Sequence, residues 1–266
     1  MIRQYRKQWI KWHNGYEKKA FRIFIKAFKE IAAGIPFDKI TPNTYEAFIT
    51  FYVSEEKILE AYKKVYLEIG LVHGKRVGRQ INKQINKKNF DPADFGSIYE
   101  FNIAEWLVIY GGERIRTVQK TYISYINSII ANGIKENLTT REIAADLKRK
   151  VKSRKYFSWQ TLRIARTETT TASNYAATVS GSVSGVYMDK VWVSSLDSRT
   201  RRPPNSIYDH YDMNRKRVKL EDDFIVSGEK MLYPGAPTGS AGNVINCRCS
   251  AAQVVRKDKD GNIMYK

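Results

Sequence analysis

The hydrophobic period of this chain changes once, and that change limits the architectures open to it. Up to Val179, apolar residues recur at intervals of three and four, as on one stripe of a helix. A glycine- and serine-rich stretch, residues 180–185, follows. Beyond it Val191 and Val193 fall on one side of a short strand and Trp192 on the other. A stripe and an alternating face need different packing partners. The prediction is therefore α+β, a long-helix N-terminal half followed by a smaller mixed helix and antiparallel-strand domain. With 266 residues there is room for two parts. They are expected at 1–135, helical with basic faces, and 136–266, with a junction near Asn132 to Leu138.

Residues 3–33 read as one amphipathic helix ended by Gly34 and Pro36. Tyr5, Trp9, Trp12 and Tyr16, then Phe24, Phe28 and Ile31, form its apolar side. The opposite side carries Lys7, Lys11, Lys18 and Arg22. Thr41-Pro42 predicts a short second helix and Ser54-Glu55-Glu56 a third, with Ile58, Tyr62, Val65, Ile69 and Val72 on one face. That segment turns basic at Lys75, Arg76, Arg79, Lys83, Lys87 and Lys88. From Ser97 to Glu136, Phe101, Trp106, Ile109, Ile115, Tyr122, Ile126 and Ile130 are expected in a core, with Gly111-Gly112 dividing two helices. Thr139-Thr140-Arg141-Glu142 has the form of a capping box. Strands are expected at residues 230–233, 243–245 and 249–255, and a closing hairpin about Asp260-Gly261.

Lysine and arginine number 46 against 27 acids, a formal charge of +19. So large an excess attracts polyanions over long range; nucleic acid is the leading partner class, an acidic protein surface is the other candidate, and the plain alternative is a solvated lysine-rich surface. Contacts through Lys7, Lys11, Lys18, Arg22, Lys75, Arg76, Arg79 and Lys83 would go to phosphates, without sequence readout. No run of apolar residues is long enough for a membrane span. The two cysteines, Cys247 and Cys249, are too close in sequence to form a useful disulfide framework, which favours a reducing compartment.

Those cysteines lie two apart on an expected strand, so both sulfurs would share a face and supply two thiolates to zinc. His210 is the natural third ligand, with Asp197, Asp209 or Asp212 as oxygen candidates. The competing readings are two small buried thiols, or a thiol nucleophile with His210 as base. His13 and His73 have no companion ligands at metal spacing and read as ordinary surface or core residues. Asp197, Arg199 and Arg201 read as a loop whose carboxylate holds the arginines, and Tyr233-Pro234-Gly235 as a turn without chemistry. No catalytic residues and no certain cofactor are assigned.

Ile164-Ala165-Arg166-Thr167-Glu168, Trp192, Asp197-Ser-Arg199-Thr200-Arg201, His210, Phe224, Tyr233-Pro234-Gly235 and Asn246-Cys247-Arg248-Cys249 together resemble the Mu F-like minor head proteins of tailed bacteriophages, over roughly residues 110–253. The resemblance implies a structural, low-copy head component without catalytic activity. It implies association with the portal and major capsid proteins and with packaged DNA, in the virion head and, during assembly, the bacterial cytoplasm. The alternative is a metal-dependent nuclease using His210, Asp197 and the cysteines. Two departures from the family pattern carry expectations. The inserted residues 202–209 are expected to carry His210 away from the thiols, and Asn214, where the family commonly has glycine, to take a left-handed turn.

Overall fold

The computed structural model describes residues 2–41, 43–86, 90–152 and 158–266. The chain is α+β, as its two hydrophobic periods require. Helices α1 (Ile2–Ala33), α2 (Tyr45–Tyr52), α3 (Glu55–Val65), α4 (Leu71–Ile85), α5 (Pro92–Trp106), α6 (Gly112–Lys135), α7 (Thr140–Lys152) and α8 (Ser158–Ser182) come first. Strands β1 (Met188–Val193), β2 (Arg217–Lys219), β3 (Phe224–Val226) and β4 (Glu229–Met231), a short α9 (Ala241–Val244) and β5 (Ser250–Val255) follow. Two compact units form. One comprises residues 1–20, 65–105 and 165–266, and the other 21–64 and 106–164.

In the first unit β1 is the central strand of an antiparallel sheet ordered β2-β1-β5. Its register sets Trp192 opposite Ala251 and Val193 opposite Ser250. Alanine opposite the indole leaves room for the ring to pack with Phe224, Val226, Met231, Tyr233, Cys247 and Cys249. The hairpin β3-β4 turns at Ser227 and Gly228, both at positive φ, as a tight hairpin turn requires. Phe224 and Val226 point inward while Ile225 is exposed. A second cluster joins Val77, Ile81 and Ile85 of α4 to Ala177 of α8, Met188 and Val255. The second unit is helical. Phe24 meets Tyr62 edge-on at 5.4 Å, Phe28 stacks on Tyr122 at 4.7 Å, and Tyr122 Oη donates to the Phe28 carbonyl. Gly133 lets α7 approach α6, since a Cβ there would sit 2.7 Å from Ile143.

Several local expectations are corrected. Gly111-Gly112 does not break the helix: a π-helical turn over Leu107–Gly111 carries α5 into α6. The wider turn takes up an extra residue and rotates the face, so Ile109 is exposed, as is Phe101 earlier on α5. A π turn at Tyr66–Gly70 does the same between α3 and α4; Val72 is exposed, and His73, Val77 and Ile81 continue the buried side. The second helix starts at Tyr45, and Thr41 instead pairs its hydroxyl with that of Thr44; Pro42, Lys87 and Lys88 lie outside the described residues. Residues 243–245, expected as a strand, belong mainly to α9, whose turn is closed by Val244 N–H donating to the Ser240 carbonyl. Asp258 to Gly261 does turn, with Gly261 at φ 85°, but only single bridges such as Lys257 with Ile263 flank it. The capping box forms as expected, with Glu142 N–H donating to Thr139 Oγ1 and Thr139 N–H to Glu142 Oε2.

Candidate functional site

Helix α8 organises the site, through polar residues. Thr167, Thr170, Thr171 and Asn174 recur at spacings of three and four, so they share one buried face. Along it the 246–251 segment is fixed bond by bond. Thr167 Oγ1 accepts from Asn246 N–H at 3.0 Å, and Thr170 Oγ1 donates to the Cys247 carbonyl at 2.5 Å. Asn174 donates to the carbonyls of Pro234 and Cys249 and accepts from Ala251 N–H at 2.9 Å. Thr171 holds the Gly235 carbonyl. Gly235, at φ 82°, is needed there, because a Cβ would press on Thr171. The Tyr233-Pro234-Gly235 turn is therefore a docking element for α8. Helix α1 closes the other side: Trp9 Nε1 donates to the Arg248 carbonyl at 2.8 Å, and Tyr5 Oη pairs with Ser250 Oγ.

His210, Cys247 and Cys249 come together, all buried, with their ligand atoms within 4.8 Å of one another. His210 Nδ1 lies 3.6 Å from each sulfur. The cysteines precede β5 instead of lying on it. Asn246, at φ 61°, turns the chain just before them, and Cys249 N–H points at the Cys247 sulfur, 3.5 Å away. The insertion does not displace His210. Both His210 N–H and Tyr211 N–H donate to the Arg201 carbonyl, so residues 202–209 leave and return at one point. Asn243 Oδ1 sits 3.0 Å from His210 Nε2, and Asn243 Nδ2 donates to the Val226 carbonyl, which fixes the amide's orientation. In the neutral ring Nε2 therefore carries the proton, and Nδ1 faces the sulfurs. Trp192 packs edge-on against the imidazole at 5.6 Å.

The electrostatics follow from this packing. Burial disfavours the His210 cation, yet the neighbouring Cys247 and the hydrogen bonds to Cys247 and Asn243 hold its pKa above the ordinary value. The bond from Cys249 holds Cys247 well below the thiol range, with His210 adding to it; that bond and burial push Cys249 well above. Two adjacent sulfurs cannot both ionise without a cation between them. Cys247 is 1% and Cys249 3% exposed, so a nucleophilic role lacks access to substrate.

The oxygen candidates stand apart. Asp197 accepts from Arg199 N–H and Thr200 Oγ1 and pairs with Arg248 at 2.5 Å, as the loop reading requires, although Arg248 and not Arg201 is its close partner. Arg201 donates to the Ile245 carbonyl. Asp209 caps Asp212 N–H, and Asp212 pairs with Lys216. Asn214 is not the left-handed residue; Arg215, at φ 73°, is. The Asn214 amide oxygen accepts from Arg6 and Ser194 N–H, and holding those donors leaves the turn to its neighbour. Arg166 makes a paired contact with Glu17, and Glu168 accepts from Tyr66 Oη, so these charges are joined within the unit. Asn243 and Asn174 were not singled out in the sequence; the polar run Thr167 to Asn174 was the available signal for the second.

On α1, Lys7, Lys11, Lys18 and Arg22 are exposed, as are Arg79 and Lys83 on α4, while Lys75 is half-buried. Arg76 is not available in the same way: it donates to Tyr16 Oη and lies over the Trp12 ring at 5.4 Å. No described helix is long and apolar enough to cross a membrane.

No curated protein and no solved structure matches the chain. One family model does, that of Phage Mu protein F like protein, and it spans residues 124–252. The span takes in α8, β1 to β4, the start of β5 and the cluster of His210 with both cysteines, and leaves residues 1–123 and 253–266 outside. Over that segment, just under half of its length, the chain is similar to the Phage Mu protein F like family, and the likeness supports a phage head morphogenesis protein.

Proposed function

We propose that this protein is a structural minor component of the phage head, bound to the portal and the inner face of the major capsid protein and touching packaged DNA during assembly in the bacterial cytoplasm. Residues 136–266 supply the head-morphogenesis part and residues 1–135 the basic faces. The observation that carries the DNA part is the split between the two sides of α1. Its aromatic side is spent on packing, with Tyr5, Trp9 and Tyr16 buried, while Lys7, Lys11 and Lys18 are exposed with no carboxylate at ion-pair distance among the described residues. Cations left in solvent on a chain of charge +19 are suited to phosphates. Lys75, Arg79 and Lys83 join them in the proposal, and Arg76 is set aside because its guanidinium is occupied. The nuclease alternative is not favoured: two sulfurs and an imidazole are a soft donor set, unlike the oxygen cages that hold magnesium for phosphoryl chemistry.

The test is titration of the purified chain with two unrelated duplexes across a salt series. Equal affinity for both, falling steeply with salt, is expected; sequence preference, or binding indifferent to salt, would remove the DNA contact. Labelling the chain in assembled and DNA-free heads tests the portal and shell contacts separately.

A further inference from the structure

We propose that His210, Cys247 and Cys249 bind a zinc ion through Nδ1 and the two Sγ atoms, with the fourth position open to the polar recess of Ser195, Thr200, Arg199, Arg201 and Arg248. Ligand bonds of about 2.1 Å to nitrogen and 2.3 Å to sulfur at tetrahedral angles set nitrogen and sulfur about 3.6 Å apart. Both observed separations are 3.6 Å. The surroundings have the parts of a metal site as well. Asn243 takes the proton of the distal imidazole nitrogen and is itself anchored, which is how a ligating histidine is oriented. A main-chain N–H points at the Cys247 sulfur, where a thiolate needs a donor. Two thiolates and an imidazole select zinc over the harder cations.

The topology gives the ion a purpose. His210 sits between β1 and β2, and the cysteines lie just before β5, so one ion would tie together the loops at the same end of the β2-β1-β5 sheet. Among the described residues no further His, Cys, Asp or Glu joins the cluster. The fourth donor is then a water in the recess, whose lining includes Ser195, Thr200 and the three arginines. Binding requires both cysteines as thiolates and Nδ1 unprotonated: as one zinc ion enters, each proton still held by these three atoms leaves to solvent. This inference stands apart from the DNA contact, which is placed on the exposed cations of α1 and α4.

The experiment is elemental analysis of the untagged full-length chain, purified without chelator, beside Cys247→Ser/Cys249→Ser. About one zinc per chain is expected in the first and a small residue in the second. Because the double variant can fail to fold, reduced wild-type protein is also stripped and titrated with cobalt(II). A thiolate-to-cobalt charge-transfer band with the visible bands of tetrahedral cobalt is expected. Asn243→Ala should keep the band and weaken zinc affinity about 10- to 100-fold in chelator competition. A metal-free wild type that also gives no thiolate band with cobalt overturns the proposal, as does zinc content unchanged by loss of both cysteines.

Discussion

The first unit buries histidine in two places, and the places differ in what surrounds the ring. At the loop cluster, His210 has Asn243 on one nitrogen and both sulfurs on the other. Where α1 meets α4, His73 lies among Trp9, Trp12 and Tyr16, and neither of its nitrogens has a hydrogen-bond partner among the described residues. His13 stands between these cases: its Nε2 reaches Thr170 Oγ1 at 3.0 Å. The hydroxyl proton is already given to Cys247, so the histidine is the donor. Burial alone therefore does not mark a site. A fixed ring nitrogen facing other donors does, and His73 is better described as a flat packing ring.

The largest expected effect separates the two places by metal. With zinc at a thousandfold excess over its dissociation constant, the wild type should gain about 4 kcal/mol against denaturant, lost on adding chelator. His210→Ala should abolish that gain and His73→Leu should leave it intact; a chelator effect that survives His210→Ala would erase the distinction. Next, Asn174→Ala should cost roughly 3 kcal/mol in urea unfolding, because it strands the Pro234 and Cys249 carbonyls and the Ala251 N–H in the interior. A loss under about 0.5 kcal/mol, as at an ordinary surface position, would show that α8 does not hold the cysteine segment in place.

Acid should act on the aromatic cluster. Burial, together with neighbouring positive groups, lowers the pKa of both His13 and His73 to about 3. The unfolded chain takes up these protons below about pH 6.5 and the folded chain does not, so stability is complete above that pH and falls as the pH drops toward 3. Each histidine should contribute about 1.4 kcal/mol of loss per pH unit in that window. His73→Leu should remove its share of the slope and change stability at neutral pH by under about 1.5 kcal/mol, since no hydrogen bond is lost. An unchanged acid limb in unfolding curves would mean that His73 is charged in the fold. The smallest effect on stability is expected on the solvent side of α1. Lys7→Gln, Lys11→Gln and Lys18→Gln should each shift stability by no more than about 0.5 kcal/mol. Each should lower the salt slope of DNA binding by about 0.9 if its ammonium meets a phosphate; a slope unmoved by all of them would take DNA off this face.

The sequence by itself determined the class of the fold, because hydrophobic period is a local property of successive residues. It also determined the capping box at Thr139, whose partners lie within one turn, and the grouping of Asn246 to Cys249 with Trp192 and Asp197 as one specialised stretch. Tertiary structure decided what depends on distant atoms. The two compact units are interleaved in sequence, with residues 1–20 and 65–105 joining the strands, and no pattern within a single helix reveals such a pairing. The π turns moved Ile109 and Val72 to the surface, since one extra residue per turn is set by packing and not by propensity. His210 met the thiols for the same kind of reason. Along the chain an insertion separates His210 from the arginine cluster, and the Arg201 carbonyl, accepting from both His210 and Tyr211, closes that insertion and returns the imidazole to the sulfurs.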